Sequence, residues 1–308
     1  MPAPPRVRKA VIPAAGYGTR FLPVTKSVPK EMLPIVDRPV IQYVIEEAVS
    51  SGIDQICIVT SSSKFSIEEY FNYNEELERR LQAAGKQKEY EEIRRVADQA
   101  SFYYVRQKEQ LGNGHAVLCA REFVGDEPFA VLWGDDFVDA EPPRTRQLLD
   151  VYEKYSGSVI TVFQSHNPED TRKYGIVRGQ PVAPGVTRVE GVVEKPGPEK
   201  APSNLASIGG YVFMPGILPI LAGLAPAQGG EIWLVDAINQ LARQEPVFAC
   251  EYRNGHYYDC GNKLEWLKAN IEFALRRPEL AAGLREYLES GVQVFRRSGV
   301  REKPGPDA

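Results

Sequence analysis

The run Lys9-Ala-Val-Ile-Pro-Ala-Ala15 leads directly into Gly16-Tyr-Gly-Thr-Arg20, and this junction constrains the fold more than any other segment. A short apolar strand ending in a glycine turn needs further elements to bury its faces. They follow at once. Val40 to Ser50 places apolar side chains at Val40, Ile41, Tyr43, Val44 and Ala48, a helical period, and Gly52 marks the stop. Gln55-Ile-Cys-Ile-Val-Thr60 then reads as a buried strand. Strand, helix and strand at this spacing form a βαβ unit, so a parallel sheet is expected here.

The alternation continues. Phe102–Arg106, Phe129–Gly134 and Ser158–Gln164 read as strands, and Gly114–Glu122 and Thr145–Tyr155 as helices. From residue 174 the texture changes to short β-like pieces broken by Gly and Pro: 175–178, 186–195 and 209–213. These predict mixed or antiparallel strands added to the first sheet. Glu231–Arg243 and Lys263–Arg276 read as helices. The charged stretch 66–100 is a helical excursion, either a solvated one or an arm against another subunit. The expectation is an α/β chain with a Rossmann-like mixed sheet flanked by helices. It forms one domain over 1–308, with a core over 8–290 and a frayed polar tail at 299–308.

Charge narrows the partners. The chain carries 37 Lys+Arg against 41 Asp+Glu, a net charge of −4. That balance argues against broad nucleic-acid or membrane-surface binding. No run reaches the roughly 18 apolar residues of a membrane span. Arg6, Arg8 and Lys9 have no apolar stretch behind them, so the N-terminus does not read as a signal peptide. Cys57, Cys119, Cys250 and Cys260 are scattered without CxxC spacing, which suits a reduced, cytoplasmic chain.

Glycines after a strand let backbone N–H groups approach phosphates. The turn is not a dinucleotide fingerprint, because Phe21 stands at the third glycine position. It is not a P-loop either, since no Gly-Lys-Ser/Thr follows. Arg20, Lys26 and Lys30 follow in a stretch broken by Pro23, Pro29 and Pro34, where a continuous helix cannot form. An irregular loop with three cations suits a triphosphate; the plainer alternative is a tight turn followed by surface charges.

At this point the sequence resembles the sugar-1-phosphate nucleotidylyltransferases. The resemblance rests on Ala14-Ala-Gly-Tyr-Gly-Thr-Arg-Phe-Leu-Pro23, Thr25-Lys26 and Pro29-Lys-Glu-Met-Leu-Pro34. Lys30-Glu-Met-Leu-Pro34 is most similar to the bacterial UTP–glucose-1-phosphate uridylyltransferases. Further matches follow in order: Arg106-Gln107, Gly112-Asn-Gly-His-Ala116, Gly134-Asp-Asp136, Tyr174-Gly-Ile-Val177, Val193-Glu-Lys-Pro196, Ala201–Ala206, Gly230–Asp236 and Asp259-Cys-Gly-Asn-Lys263. They cover nearly the whole chain.

The resemblance implies transfer of a uridylyl group from UTP to glucose 1-phosphate, giving UDP-glucose and pyrophosphate. The attacking phosphate is already anionic, so no side-chain base is required. Cations and positioning must do the work. Arg20 is then the clamp on the β- and γ-phosphates, and Lys30 serves the α-phosphate and the attacking group, with Lys26 a weaker candidate. Asp135 and Asp259 would hold Mg2+, although sequence alone barely separates Asp135 from Asp136. Ala14, Ala15 and Gly16, with Gln107 and Gly112, would read the base, and Glu31 would steady this loop. Gly175, Glu194 and Lys195 would bind the sugar phosphate. His115 reads as structural, and nothing marks Cys260 as reactive. The family tends to form homodimers or homotetramers. Two other readings share the fold: a dTTP-using thymidylyltransferase and a non-catalytic nucleotide-sugar-binding protein. The chain departs from the common pattern at Tyr17, Asn113, Trp233 and Val235.

Overall fold

The computed structural model describes residues 4–227 and 229–298, with side chains as far as residue 290. The expected fraying at 299–308 lies outside the described residues.

Strand Lys9–Pro13 pairs in parallel with Gln55–Thr60 on one side and Phe129–Val131 on the other. Ser101–Arg106 extends the parallel half beyond Gln55–Thr60. Both faces of this half are covered, so the strands carry apolar runs rather than alternation. Ala10, Ile12, Ile56 and Ile58 point into one core, against Val40, Val44 and Ala48 of helix Val40–Ser50. Val11, Cys57 and Val59 point into the other, against Ala116 and Val117 of helix Gly112–Cys119.

The second half is mixed, as expected. Leu205–Phe213 joins Phe129–Val131 antiparallel and carries Ser158–Gln164 on its far side. Val247–Glu251, the hairpin strand Val186–Glu194 and its partner Gly175–Ala183 complete nine strands. A third core packs Leu148, Leu149 and Tyr152 of helix Arg144–Tyr155 on Val159, Val212 and Phe248.

Several expectations change in detail. The charged excursion is three helices, Phe65–Tyr70, Glu75–Ala83 and Gln87–Asp98. The helix expected over 231–243 begins only at Leu234. Its first residues are drawn away, because Ile232 N–H donates to the Leu111 carbonyl and Ile232 O accepts from Gly114 N–H. A two-stranded ribbon, Asp136–Ala140 against Gly255–Asp259, was not foreseen. It lies outside the main sheet, and it matters most for the site.

Candidate active site

Parallel strands end at one edge of a sheet, so their following loops meet there. Ala14 to Gly18 follow the first strand, Ser61 to Lys64 the second, Gln107 the edge strand and Asp135 the strand Phe129–Val131. Together with the second half of the sheet they enclose a cleft of about 880 Å³. Arg20, Lys30, Gln107, Asp135, Glu194 and Lys195 all line it. Ala15, Gly16, Glu31, Gly112 and Gly175 line it too.

The glycine turn is built around Gly18, whose φ is +65°. A Cβ there would come within 3.2 Å of Lys30 Cβ and Thr25 Cγ2, so only glycine lets the loop fold back on itself. Thr25 Oγ1 donates to Gly18 O at 2.8 Å and closes it. The proline-broken stretch forms three single 3-10 turns, Thr19–Phe21, Val24–Lys26 and Lys30–Met32. Arg20 and Lys30 therefore reach the cleft. Lys26 does not. It lines a separate cavity of about 320 Å³ beside Thr19, Ser61 and Ser63. Ala14 is also turned to internal use: its N–H donates to Val59 O and its carbonyl accepts from Lys64 Nζ. Gly16 is exposed, with open space where a Cβ would stand.

Lys64 was missed by sequence reasoning, since a lysine after Ser61-Ser-Ser63 reads as surface. It is only 6% exposed. Its ammonium donates to Glu31 Oε2 at 2.8 Å and Oε1 at 3.1 Å, and to Ala14 O at 2.5 Å. Burial pushes the Glu31 carboxyl up and the Lys64 ammonium down, against the attraction between them. Glu31 thus holds the loop through Lys64, and its carboxylate is engaged inside the protein. The available signal was topological: Lys64 follows the strand beside the glycine turn.

The ribbon brings together carboxylates from two ends of the chain. In its register Asp136 stands opposite Asp259. Gly261 sits against both neighbours, because a Cβ there would lie 2.6 Å from Asp135 Oδ2 and 3.1 Å from Asp259 Oδ1. Lys30 Nζ donates to Asp135 Oδ2 at 2.5 Å. Burial works against the Lys30 charge, but Asp135 and Glu31 outweigh it and hold the ammonium above its usual range. The Asp259 carboxyl is raised by burial and by Asp135, with Arg20 opposing. Asp136 is turned inward and pushed up to about 7 by burial. It accepts from Tyr257 OH at 3.2 Å and faces the buried Arg144, which is itself held by Glu47. Both aspartates line the cleft, and their partners separate them: Asp135 is paired with Lys30, whereas Asp136 is buried and held by Tyr257 and Arg144.

These carboxylates fit a magnesium ion. Asp135 and Asp259 converge beside Gly261, and a cationic ammonium already lies on Asp135. Among the described residues no three His, Cys, Asp or Glu side chains form a cage. Magnesium commonly takes one or two carboxylates and completes its shell with waters and substrate phosphates.

At one end of the cleft, Gln107 is 5% exposed. Its Nε2 donates to Gly112 O at 3.1 Å and contacts His115 Nδ1 at 3.0 Å. The amide donors are thus engaged within the protein, and the Gln107 oxygen has no hydrogen-bond partner among the described residues. Gly112 has φ +89°, and a Cβ would meet Ile232 O at 2.8 Å. Asn113 Oδ1 accepts from Leu234 N–H at 2.9 Å, beside Trp233, which lines the cleft. Asn113 is therefore tied to the backbone next to Trp233, and both line the cleft. At the other end, Gly175 pairs with Glu194, and a Cβ on it would lie 3.1 Å from Glu194 Oε2. Lys195 holds φ +45° for a non-glycine residue, and its Nζ lies 3.4 Å from Glu194.

With this geometry in view, the chain matches the nucleotidyl transferase family model over residues 9–274. It is 50% identical over 288 residues to the Bacillus subtilis UTP–glucose-1-phosphate uridylyltransferase YngB, covering 94% of this chain and 96% of that one. It superposes on a UTP-bound UDP-glucose pyrophosphorylase of Acinetobacter baumannii with a TM-score of 0.85, at 40% identity over 92% of this chain and 99% of that chain. A UDP-glucose pyrophosphorylase complexed with UDP-glucose superposes with a TM-score of 0.80, at 39% identity over 88% of this chain and all of the other.

Proposed function

This chain belongs to the nucleotidyl transferase family, among its UTP–glucose-1-phosphate uridylyltransferases, and we propose which of its residues carry the reaction. The reaction moves a uridylyl group from UTP to glucose 1-phosphate and releases pyrophosphate. A phosphate oxygen of glucose 1-phosphate forms a bond to the α-phosphorus, and the bond to the β-phosphate oxygen breaks. The nucleophile needs no base. The barrier is the meeting of two anions and the charge that builds on the leaving group.

Arg20 draws charge from the β- and γ-phosphates. Lys30 lies at the contact between α-phosphate and attacking phosphate, where it holds both. Asp135 and Asp259 hold a magnesium ion, which when bound offsets phosphate charge. Ala15 and Gly16 offer backbone to the nucleotide, and the Gln107 oxygen and Gly112 face the base. Glu194 accepts from sugar hydroxyls, Gly175 lets the hexose approach the backbone, and Lys195 pairs with the sugar phosphate. The observation that supports this assignment best is the shared cleft: cations, carboxylates and the two recognition ends arrive from separate segments of the chain at one sheet edge.

The same proposal treats the chain as one nucleotidyltransferase domain, supported by a sheet whose strands run from Lys9 to Glu251. It includes assembly as a homodimer or homotetramer. Helix Glu75–Ala83 buries none of its residues, which supports its use against a second copy. No described helix is long and apolar enough to cross a membrane. Four free cysteines suit a reducing cytoplasm.

The test is magnesium-dependent pyrophosphate release from glucose 1-phosphate with UTP, dTTP, CTP, ATP and GTP in turn. UTP is expected to be used far better than the rest. Preference for dTTP would replace the base assignment and keep the phosphate assignment. Nucleotide binding without release would favour a non-catalytic role.

A further inference from the structure

Gln107 has one amide oxygen and one amide nitrogen, and which of them meets a nucleobase decides what base is accepted. Three observations fix the choice. The Gly112 carbonyl can only accept, so the group 3.1 Å from it must be the Gln107 nitrogen. That nitrogen carries two hydrogens, and the second is directed at His115 Nδ1, 3.0 Å away. The Gln107 oxygen makes no hydrogen bond among the described residues, and Gln107 lines the cleft.

The His115 ring is constrained in turn. Its Nδ1 must present a lone pair to the Gln107 N–H, so its proton resides on Nε2. Cys119, one turn along the same helix, lies 3.9 Å from the ring and backs it. The helix Gly112–Cys119 is anchored to the opposite wall by Gly114 N–H on Ile232 O and by Asn113 on Leu234 N–H. His115 therefore has a fixed place from which to accept.

We infer that His115 is a positioning residue for base selection: by accepting from Gln107 it holds the amide oxygen toward the cleft and so admits bases that present an N3–H. Uracil has that donor. Cytosine presents a bare lone pair at N3, which the Gln107 oxygen repels. Thymine shares the N3–H of uracil, so this device separates UTP from CTP and leaves UTP and dTTP to be told apart elsewhere. The inference rests on the assignment of Gln107 to the base.

The experiment compares kcat/KM for UTP and CTP, with glucose 1-phosphate fixed, in the full-length protein and three variants. His115→Phe keeps a ring but removes the acceptor. The UTP:CTP ratio is expected to fall about tenfold, the worth of one hydrogen bond, with the loss for UTP falling on KM more than on kcat. His115→Asn places an acceptor oxygen near the position of Nδ1 and is expected to restore most of the ratio. His115→Leu replaces His115→Phe should the latter not fold. Equal losses for UTP and CTP in the non-accepting variant, or no rescue by Asn, overturn the inference. Gln107→Ala separates the two claims. If it lowers the ratio while His115→Phe does not, the positioning role fails alone. If Gln107→Ala leaves the ratio intact, the base assignment itself fails.

Discussion

Asp136 and Asp259 face one another across an antiparallel ribbon, although 122 residues separate them between their positions in the chain's numbering. That pairing carries Asp259 close to Asp135, and Lys30 donates to Asp135 from the proline-broken loop. Lys30→Met and Asp135→Asn are each expected to cut turnover by at least about a hundredfold, since each removes charge stabilisation at the reacting phosphates. Steady-state pyrophosphate release measures this, with circular dichroism to show an intact fold. Near-normal rates in either variant would remove that residue from the mechanism.

Glu194 is the carboxylate expected to accept from the hexose. A charge-assisted hydrogen bond contributes about 1.5–3 kcal/mol, so Glu194→Gln is expected to raise KM for glucose 1-phosphate roughly tenfold or more. The KM for UTP should stay within about twofold. A matched rise in both would point to a general distortion of the cleft.

The buried pair Glu31–Lys64 gives a stability prediction. Burial pushes each group toward its neutral form, so the attraction between them works against a desolvation cost. Glu31→Gln leaves Lys64 nearly buried without its counter-charge and is expected to cost about 3–5 kcal/mol in urea unfolding. Replacing both, Glu31→Gln with Lys64→Met, is expected to recover most of that loss. A double variant no more stable than the single one would show that the pair does not act as a unit.

The thiols supply a pH test. Burial raises Cys57 to about 12 and Cys250 to about 11, and pushes Cys260 higher still. A raised thiol loses its proton only as pH climbs through the raised value, so at pH 8 these three carry almost no thiolate. Alkylation of the folded protein at pH 8 is expected to reach Cys119 first, because it alone is partly exposed. All four should react once the chain is unfolded. Early labelling of Cys260 would show that the segment beside Asp259 opens.

Regular elements were the legible part of this sequence. Helix Val40–Ser50 and strands Gln55–Thr60 and Ser158–Gln164 have the bounds their periodicity implies, because each is buried along most of its length. Residues whose role depends on tertiary contact were illegible. Lys64 carries no local mark of burial; its surroundings come from Glu31 and Ala14, far away in the chain. The start of helix Leu234–Leu241 was misjudged for the same reason, since backbone bonds to Leu111 and Gly114 outbid helix formation at Ile232. The split between Asp135 and Asp136 needed the ribbon, which neither short strand announces by itself. The residues named from motif resemblance line one cleft, except that Lys26 faces another cavity, Ala14 uses its backbone internally and Asp259 adjoins the cleft through Gly261 without lining it.

The ribbon also fixes an order of events. The last strand of the nine ends at Glu251, before the ribbon's second strand begins at Gly255. A chain emerging from the ribosome can therefore supply all nine strands and the glycine turn while Asp259, and the Tyr258, Cys260 and Ala269 that fill one core, are still to come. Under the proposed assignment competence arrives last, from a ribbon strand that adds nothing to the main sheet, and a chain cut between Glu251 and Gly255 would hold all nine strands and lack Asp259, the proposed metal ligand.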